Sequence, residues 1–124
     1  MVEIHPVVDC KGNPESLPLA VPRYPSGQCV GQDVIVGRVD VIQARHTKRE
    51  PFGDALTITL SAKGRERLIQ FTLNHVRNGI ASAIDGRTVE AAIIREPIVS
   101  TTLEITGELL GAEIDALVEP QSSN

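Results

Sequence analysis

Aromatic side chains are nearly missing from this sequence: Phe52, Phe71 and Tyr24 are all it has, and tryptophan is absent. Sites that read single-stranded nucleic acid, or that grip sugars and flat cofactors, stack their ligands on aromatic faces, so such ligands are disfavoured. An excess of positive charge is missing too. The formal net charge is −4, whereas a nucleic-acid binder carries a basic patch that displaces counterions from phosphates. No nucleic-acid partner is expected, and the short basic run Arg45, His46, Lys48 and Arg49 reads as a solvated loop. No stretch approaches the ~20 apolar residues needed to cross a bilayer, so no membrane span is expected. The opening Met-Val-Glu-Ile-His-Pro lacks a basic region followed by an apolar run and does not read as a signal peptide. That leaves a cytoplasmic protein or a mature or trimmed chain.

The motifs of catalysis are missing as well. The sequence contains no G-x-S-x-G, G-x-x-x-x-G-K, H-E-x-x-H or G-x-G-x-x-G. Its three histidines (His5, His46, His75) and two cysteines (Cys10, Cys29) are scattered without metal-ligand spacing. Asp85, Glu90, Glu96 and Glu104 are carboxylates that a pairing on one face would make useful for acid/base work. Asp85 is explained by a turn, however, and alternating acids on strands make a solvated face. His75 at a helix end reads as a partner of the C-terminal dipole. The expectation is a protein that is not an enzyme and carries no cofactor or metal.

What remains is aliphatic. Of 124 residues 41% are hydrophobic and 23% charged, enough for one domain with a core of Val, Ile, Leu and Ala. Residues 1–33 hold five of the eight prolines (Pro6, Pro14, Pro18, Pro22, Pro25) with Gly12, Gly27 and Gly31. Proline has no amide donor and glycine is costly to order, so this stretch reads as an extended or looped arm. Cys10 and Cys29 lie within it. In an oxidising compartment they could close a loop worth about 3 kcal/mol; two unpaired thiols are the alternative.

Residues 34–44, rich in Val34, Val36, Val39, Val41 and Ile42, predict a strand bent at Gly37. Leu56, Ile58 and Leu60 alternate with Thr57 and Thr59, the pattern of a half-buried strand. Ser61 stands at an N-cap, and Leu68, Thr72 and Val76 then recur four apart, predicting an amphipathic helix over 62–77 that stops near Asn78 and Gly79. Gly64 inside that helix costs about 0.8 to 1 kcal/mol relative to Ala, which calls for a close approach to a strand. Asp85 and Gly86 separate two apolar runs and predict a hairpin over 80–94, because both tolerate the positive φ of a type I′ turn. Pro97 predicts a break, Thr102, Leu103, Glu104, Ile105 and Thr106 a further strand ending at Gly107, and residues 112–119 a short closing helix. The fold expected is α+β, an antiparallel sheet with helices packed on one face. It divides as a 1–33 arm, a 34–119 domain and a 120–124 polar tail.

The stretch from Leu60 to Gly107 resembles the head subdomain of the first periplasmic domain of SecD. That family runs L-T-x-E-G-A, an apolar helix with F-x-x-L-T, a small-residue strand closed by D-G, a second strand, E-P-I and finally I-x-G. Here stand Leu60-Ser61-Ala62-Lys63-Gly64, Phe71-Thr72, Ala81-Ser82-Ala83-Ile84-Asp85-Gly86, Ile93-Ile94-Arg95-Glu96-Pro97-Ile98 and Ile105-Thr106-Gly107, in similar spacing without a gap. His75, Arg77, Ala92, Ser100 and Thr101 depart from the family's usual residues. The resemblance implies an extracytoplasmic, stand-alone module that engages a polypeptide or an envelope-protein partner. The expected contact is the strand edge at Thr102, Leu103, Glu104, Ile105 and Thr106, or else the groove beside the 68–76 helix segment. Two other readings stay open: a small acidic inhibitor or immunity-type protein with one dedicated partner, and a homo-oligomer subunit pairing sheet edges.

Overall fold

The computed structural model describes residues 2–13, 16–19, 27–49 and 53–106. Its elements in chain order are β1 (Val2–Asp9), β2 (Leu17–Pro18), β3 (Gln28–Val30), β4 (Val41–Arg49), β5 (Gly53–Leu60), α1 (Ala62–Asn74), β6 (Gly79–Ile84), β7 (Arg87–Ile93) and β8 (Thr102–Ile105). They form two antiparallel sheets, a five-stranded one in the order β2–β3–β1–β6–β7 and a three-stranded one in the order β4–β5–β8. Each strand alternates its side chains between two faces, and the apolar faces meet in a main core, with a smaller cluster at Val7, Val30 and Ala81. Ile4 and Val36, Leu56 and Ile58 of β5, Leu68 of α1, Val89 of β7 and Ile105 of β8 are its most enclosed members. The described residues thus amount to mostly antiparallel sheet with a single helix packed on it; residues 112–119, expected to close the fold as a second helix, and the 120–124 tail lie outside them.

Several elements follow their local signals. Asp85 and Gly86 both take positive φ, 49° and 84°, and join β6 to β7 as a tight hairpin. The Ser61 hydroxyl accepts the Gly64 amide at 3.1 Å and starts α1. The helix ends at Asn74 with His75 as its cap, three residues short of the expected 77, and Val76 is exposed while Gly64, Leu68 and Thr72 are buried. His75 Nδ1 lies 2.7 Å from the Phe71 carbonyl and its ring stacks on Phe71 at 4.0 Å, so the side chain engages a main-chain carbonyl of the last turn.

Other elements depart from them. Residues 34–40, expected to begin a strand, instead make one bridge between Val36 and Ile4 and a 3-10 turn at Arg38–Asp40; β4 starts only at Val41. β-branched content favours strands, but Val34 and Val39 have no apolar face to meet and stay exposed. The basic run Arg45 to Arg49 is not a loop. It lies on β4, where His46 Nε2 sits 2.6 Å from Asp54 Oδ1 across the strand pair.

The largest departure is at the N-terminus. The described residues of the proline-rich 1–33 stretch supply β1, β2 and β3 rather than a loose arm, and β1 lies between β3 and β6 in the sheet. Pro6 therefore occupies an interior strand, a place proline seldom takes because it cannot donate to the ladder. Its carbonyl still accepts the Gly31 amide at 2.8 Å. The return bond to the Gly31 carbonyl is impossible, and His5 Nδ1 supplies it instead at 2.8 Å. A carbonyl only accepts, so Nδ1 carries the proton. Gly31 must also lack a side chain, since a Cβ there would fall 2.9 Å from the Pro6 ring. Past this point residues 32–34 bulge out, and the chain rejoins β1 only where Ile35 donates to the Ile4 carbonyl at 2.8 Å and Ile4 to the Val36 carbonyl at 2.9 Å.

Gly64 also has a cause, though its neighbour is not a strand. A Cβ at Gly64 would lie 2.7 Å from the Cβ of Asp40, in the 3-10 turn that α1 rests upon. Gly64→Ala should therefore lower the unfolding free energy by about 1–3 kcal/mol, as overpacking does, even though Ala is the better helix former. Urea denaturation of the two proteins checks the sign; a more stable variant would mean that the turn yields freely.

Candidate functional site

The 3-10 turn and the start of α1 meet at one carboxylate. Asp40 is only 4% exposed. Its Oδ2 accepts the Gly37 amide at 2.8 Å and pairs with the Arg67 guanidinium, while its main-chain carbonyl accepts the Ser61 amide at 2.8 Å. Burial alone would raise the Asp40 pKa, but the hydrogen bonds from Arg67 and Gly37 and the nearby guanidinium charge outweigh it. The carboxyl is held below the usual carboxylate value. Arg67 also donates through Nε to the Ile35 carbonyl at 3.1 Å. One guanidinium thereby ties the helix both to the turn and to the segment that follows the 32–34 bulge.

Between α1 and that bulge runs a groove of about 350 Å³ lined by Asp33, Val34, Ile35, Glu66, Arg67, Gln70 and Phe71. Val34, 45% exposed, forms one wall and Phe71 the other. The helical spacing of Glu66, Arg67, Gln70 and Phe71 puts all four along one stripe of α1. Arg67 contributes its aliphatic stem here because its charged end is occupied by Asp40 and Ile35. Gln70 donates to Glu66 at 3.3 Å along the rim. This is the groove beside the helix raised as the second contact region, shifted one turn toward the N-terminus of α1.

The first contact region, Thr102 to Thr106, falls on β8 and the residue after it. β8 pairs only with β5 among the described strands, which makes it an edge of the smaller sheet. Leu60 donates to the Thr101 carbonyl at 2.9 Å, and alternation along the strand then turns the main chain of Leu103 and Ile105 toward β5 and that of Thr102, Glu104 and Thr106 outward. The Thr102 amide is taken by the Ser100 hydroxyl at 3.2 Å, and the Thr106 amide by Glu90 Oε2 at 3.1 Å. Thr106 also donates its hydroxyl to the same oxygen at 2.5 Å. Two of the three outward amides are thus engaged inside the molecule.

The remaining sequence candidates fall in separate places. Cys10 and Cys29 are joined in a disulfide, their Cα atoms 5.0 Å apart, where β1 leaves the sheet alongside β3. Asp85 is in the hairpin turn, Glu90 holds Thr106, and Glu96 is exposed in the loop before β8. Among the described residues no three His, Cys, Asp or Glu side chains gather as metal ligands, and no helix is long and apolar enough to cross a membrane. Sequence reasoning missed Asp33, Asp40 and Arg67. The only signals for them were the Gly37-x-x-Asp40 spacing of a turn and the placing of Gly64 and Arg67 one helical turn apart.

A family model for the SecDF P1 head subdomain matches residues 18–118. A search of curated proteins returns no match. Among solved structures, one of SecDF, described as a membrane component that enhances protein export, superposes with a TM-score of 0.66 at 20% identity, over 91% of this chain and 59% of its own. SecDF in a super-membrane-facing form gives a TM-score of 0.66 at 20% identity, over 91% of this chain and 18% of its own. The chain therefore spans less than two-thirds of either relative, and at such identity the superpositions speak for the fold.

The Asp40 geometry carries a pH dependence. A carboxyl whose folded pKa lies below its unfolded value adds stability above the unfolded value and loses it as pH falls through the folded one. Urea midpoints should accordingly drop as pH is taken below about 4. Asp40→Asn should cost about 2 kcal/mol at neutral pH and flatten that acid limb. An unchanged limb in the variant would assign the loss to other carboxylates.

Proposed function

Because the chain belongs to the SecDF P1 head subdomain family, we propose that it is a non-enzymatic binding module of protein export that engages an extended polypeptide on the extracytoplasmic side of a membrane. The observation that carries this reading is the family match over residues 18–118. It is supported by superposition on SecDF, a component that enhances export. The open groove beside α1 gives it a surface suited to contact with an unfolded segment. An extracytoplasmic setting is supported by the disulfide, since such bonds persist where thiols are not kept reduced.

Two measurements test these parts separately. In isothermal titration the native protein should bind reduced, carbamidomethylated ribonuclease A, which cannot fold, and ignore native ribonuclease A. Equal response to both, or to neither, would refute polypeptide engagement. For the compartment, protein recovered from an exported fraction should resist alkylation at Cys10 and Cys29 until reduced. Reduction should then lower stability by about 3 kcal/mol, the value for a loop of this size. Free thiols in that fraction would rule the pairing out and remove the support it lends to an extracytoplasmic setting.

A further inference from the structure

We propose that the groove between α1 and the 32–34 bulge receives a bulky apolar side chain of an extended polypeptide whose neighbouring residues are lysine or arginine. This rests on the polypeptide-binding reading above and specifies which polypeptide.

The walls select an apolar side chain. Val34, Ile35, Phe71 and the stem of Arg67 line the groove, and its 350 Å³ suits one or two aliphatic side chains rather than a flat cofactor. The rim selects the charge beside it. Asp33 and Glu66 both border the groove, and the one cation among its lining residues, Arg67, is paired with Asp40 and donates to the Ile35 carbonyl. Neither Asp33 nor Glu66 has an ion-pair partner among the described residues; Glu66 accepts only from Gln70. The backbone selects an extended occupant. Asp33 and Val34 sit in the bulge where pairing with β1 is suspended, and their main-chain groups make no hydrogen bond among the described residues. An extended chain laid along the bulge can supply those bonds while its side chain enters the groove.

The same features argue against other occupants. A second copy of this chain brings a net charge of −4 and, in a two-fold arrangement, sets its own Asp33 and Glu66 against this rim. An acyl chain would bring an anionic or zwitterionic headgroup to two carboxylates. A basic-flanked apolar residue is the one arrangement that answers walls, rim and backbone together.

Fluorescence anisotropy with three labelled peptides tests this: one alternating leucine and lysine, one with glutamate for each lysine, one with serine for each leucine. The leucine–lysine peptide should bind best, and more weakly as salt rises. Val34→Ser should weaken it about tenfold or more, as loss of a central apolar contact does. The Asp33→Lys, Glu66→Lys double variant should reverse the preference toward the leucine–glutamate peptide. All three positions are exposed, and circular dichroism with urea denaturation verifies that the variants fold. Unchanged affinity in both variants, or a native preference for the glutamate peptide, overturns the groove assignment. If unfolded ribonuclease A still binds in that case, the polypeptide-binding reading survives and only its location is lost; if neither probe binds, both are lost.

Discussion

Taking the Asp40 carboxylate out of water at the foot of α1 carries a desolvation cost that only good partners can offset, and the arrangement of the first half of the chain follows from supplying them. Gly37 must turn its amide inward, which sets the 3-10 turn. Gly64 must be bare so that the helix can come close, and Arg67 must extend across to reach the carboxylate. Arg67, 48% exposed, keeps part of its hydration, so the pair is less costly than one sealed on both sides. Its reach to the Ile35 carbonyl then fixes the bulge relative to the helix, and with it the width of the groove. Packing of Leu68 and Phe71 against the core holds the same helix further along its length.

A comparable economy governs the second half of the fold. Thr72 is fully buried, yet its hydroxyl is satisfied twice over: it donates to the Leu68 carbonyl at 2.8 Å and accepts the Ile98 amide at 2.9 Å. Arg65 adds two bonds to the Val99 carbonyl, at 3.1 and 3.0 Å. The irregular loop around Pro97 is therefore moored to α1 before it enters β8. No buried side-chain nitrogen or oxygen among the described residues lacks a partner, which fits a core that depends on aliphatic packing with few polar insertions.

What could be read from the sequence was what is decided locally. The Asp85–Gly86 turn, the Ser61 cap, the alternation of β5 and the apolar stripe of α1 each need only neighbouring residues, and the family resemblance rested on that stretch. β1 was hidden although Val2, Ile4 and Pro6 alternate with Glu3 and His5, because the prolines around it argued more loudly and its partner β6 lies far along the chain. The 34–40 segment erred in the other direction: β-branched residues promised a strand that no neighbouring strand was placed to complete. Asp40 and Arg67 were invisible because nothing near either residue reveals that the other will face it. The groove, made from a bulge and a helix, inherits that invisibility.

The substitution of a ring nitrogen for a missing amide in β1 ties His5 to Pro6, with Gly31 opposite both. With Pro6 in place, His5 is needed to satisfy the Gly31 carbonyl, and Gly31 is needed to clear the proline ring. Replacing Pro6 by any other residue would restore an amide and release His5, but a Cβ at Gly31 would still lie 3.2 Å from the carbonyl at position 6 and 3.2 Å from the Val8 side chain. Seen as an evolutionary character, His5 and Pro6 have a single state between them: lineages that lose the proline can let the histidine drift, whereas those that keep it must keep both, and the glycine is held in either case.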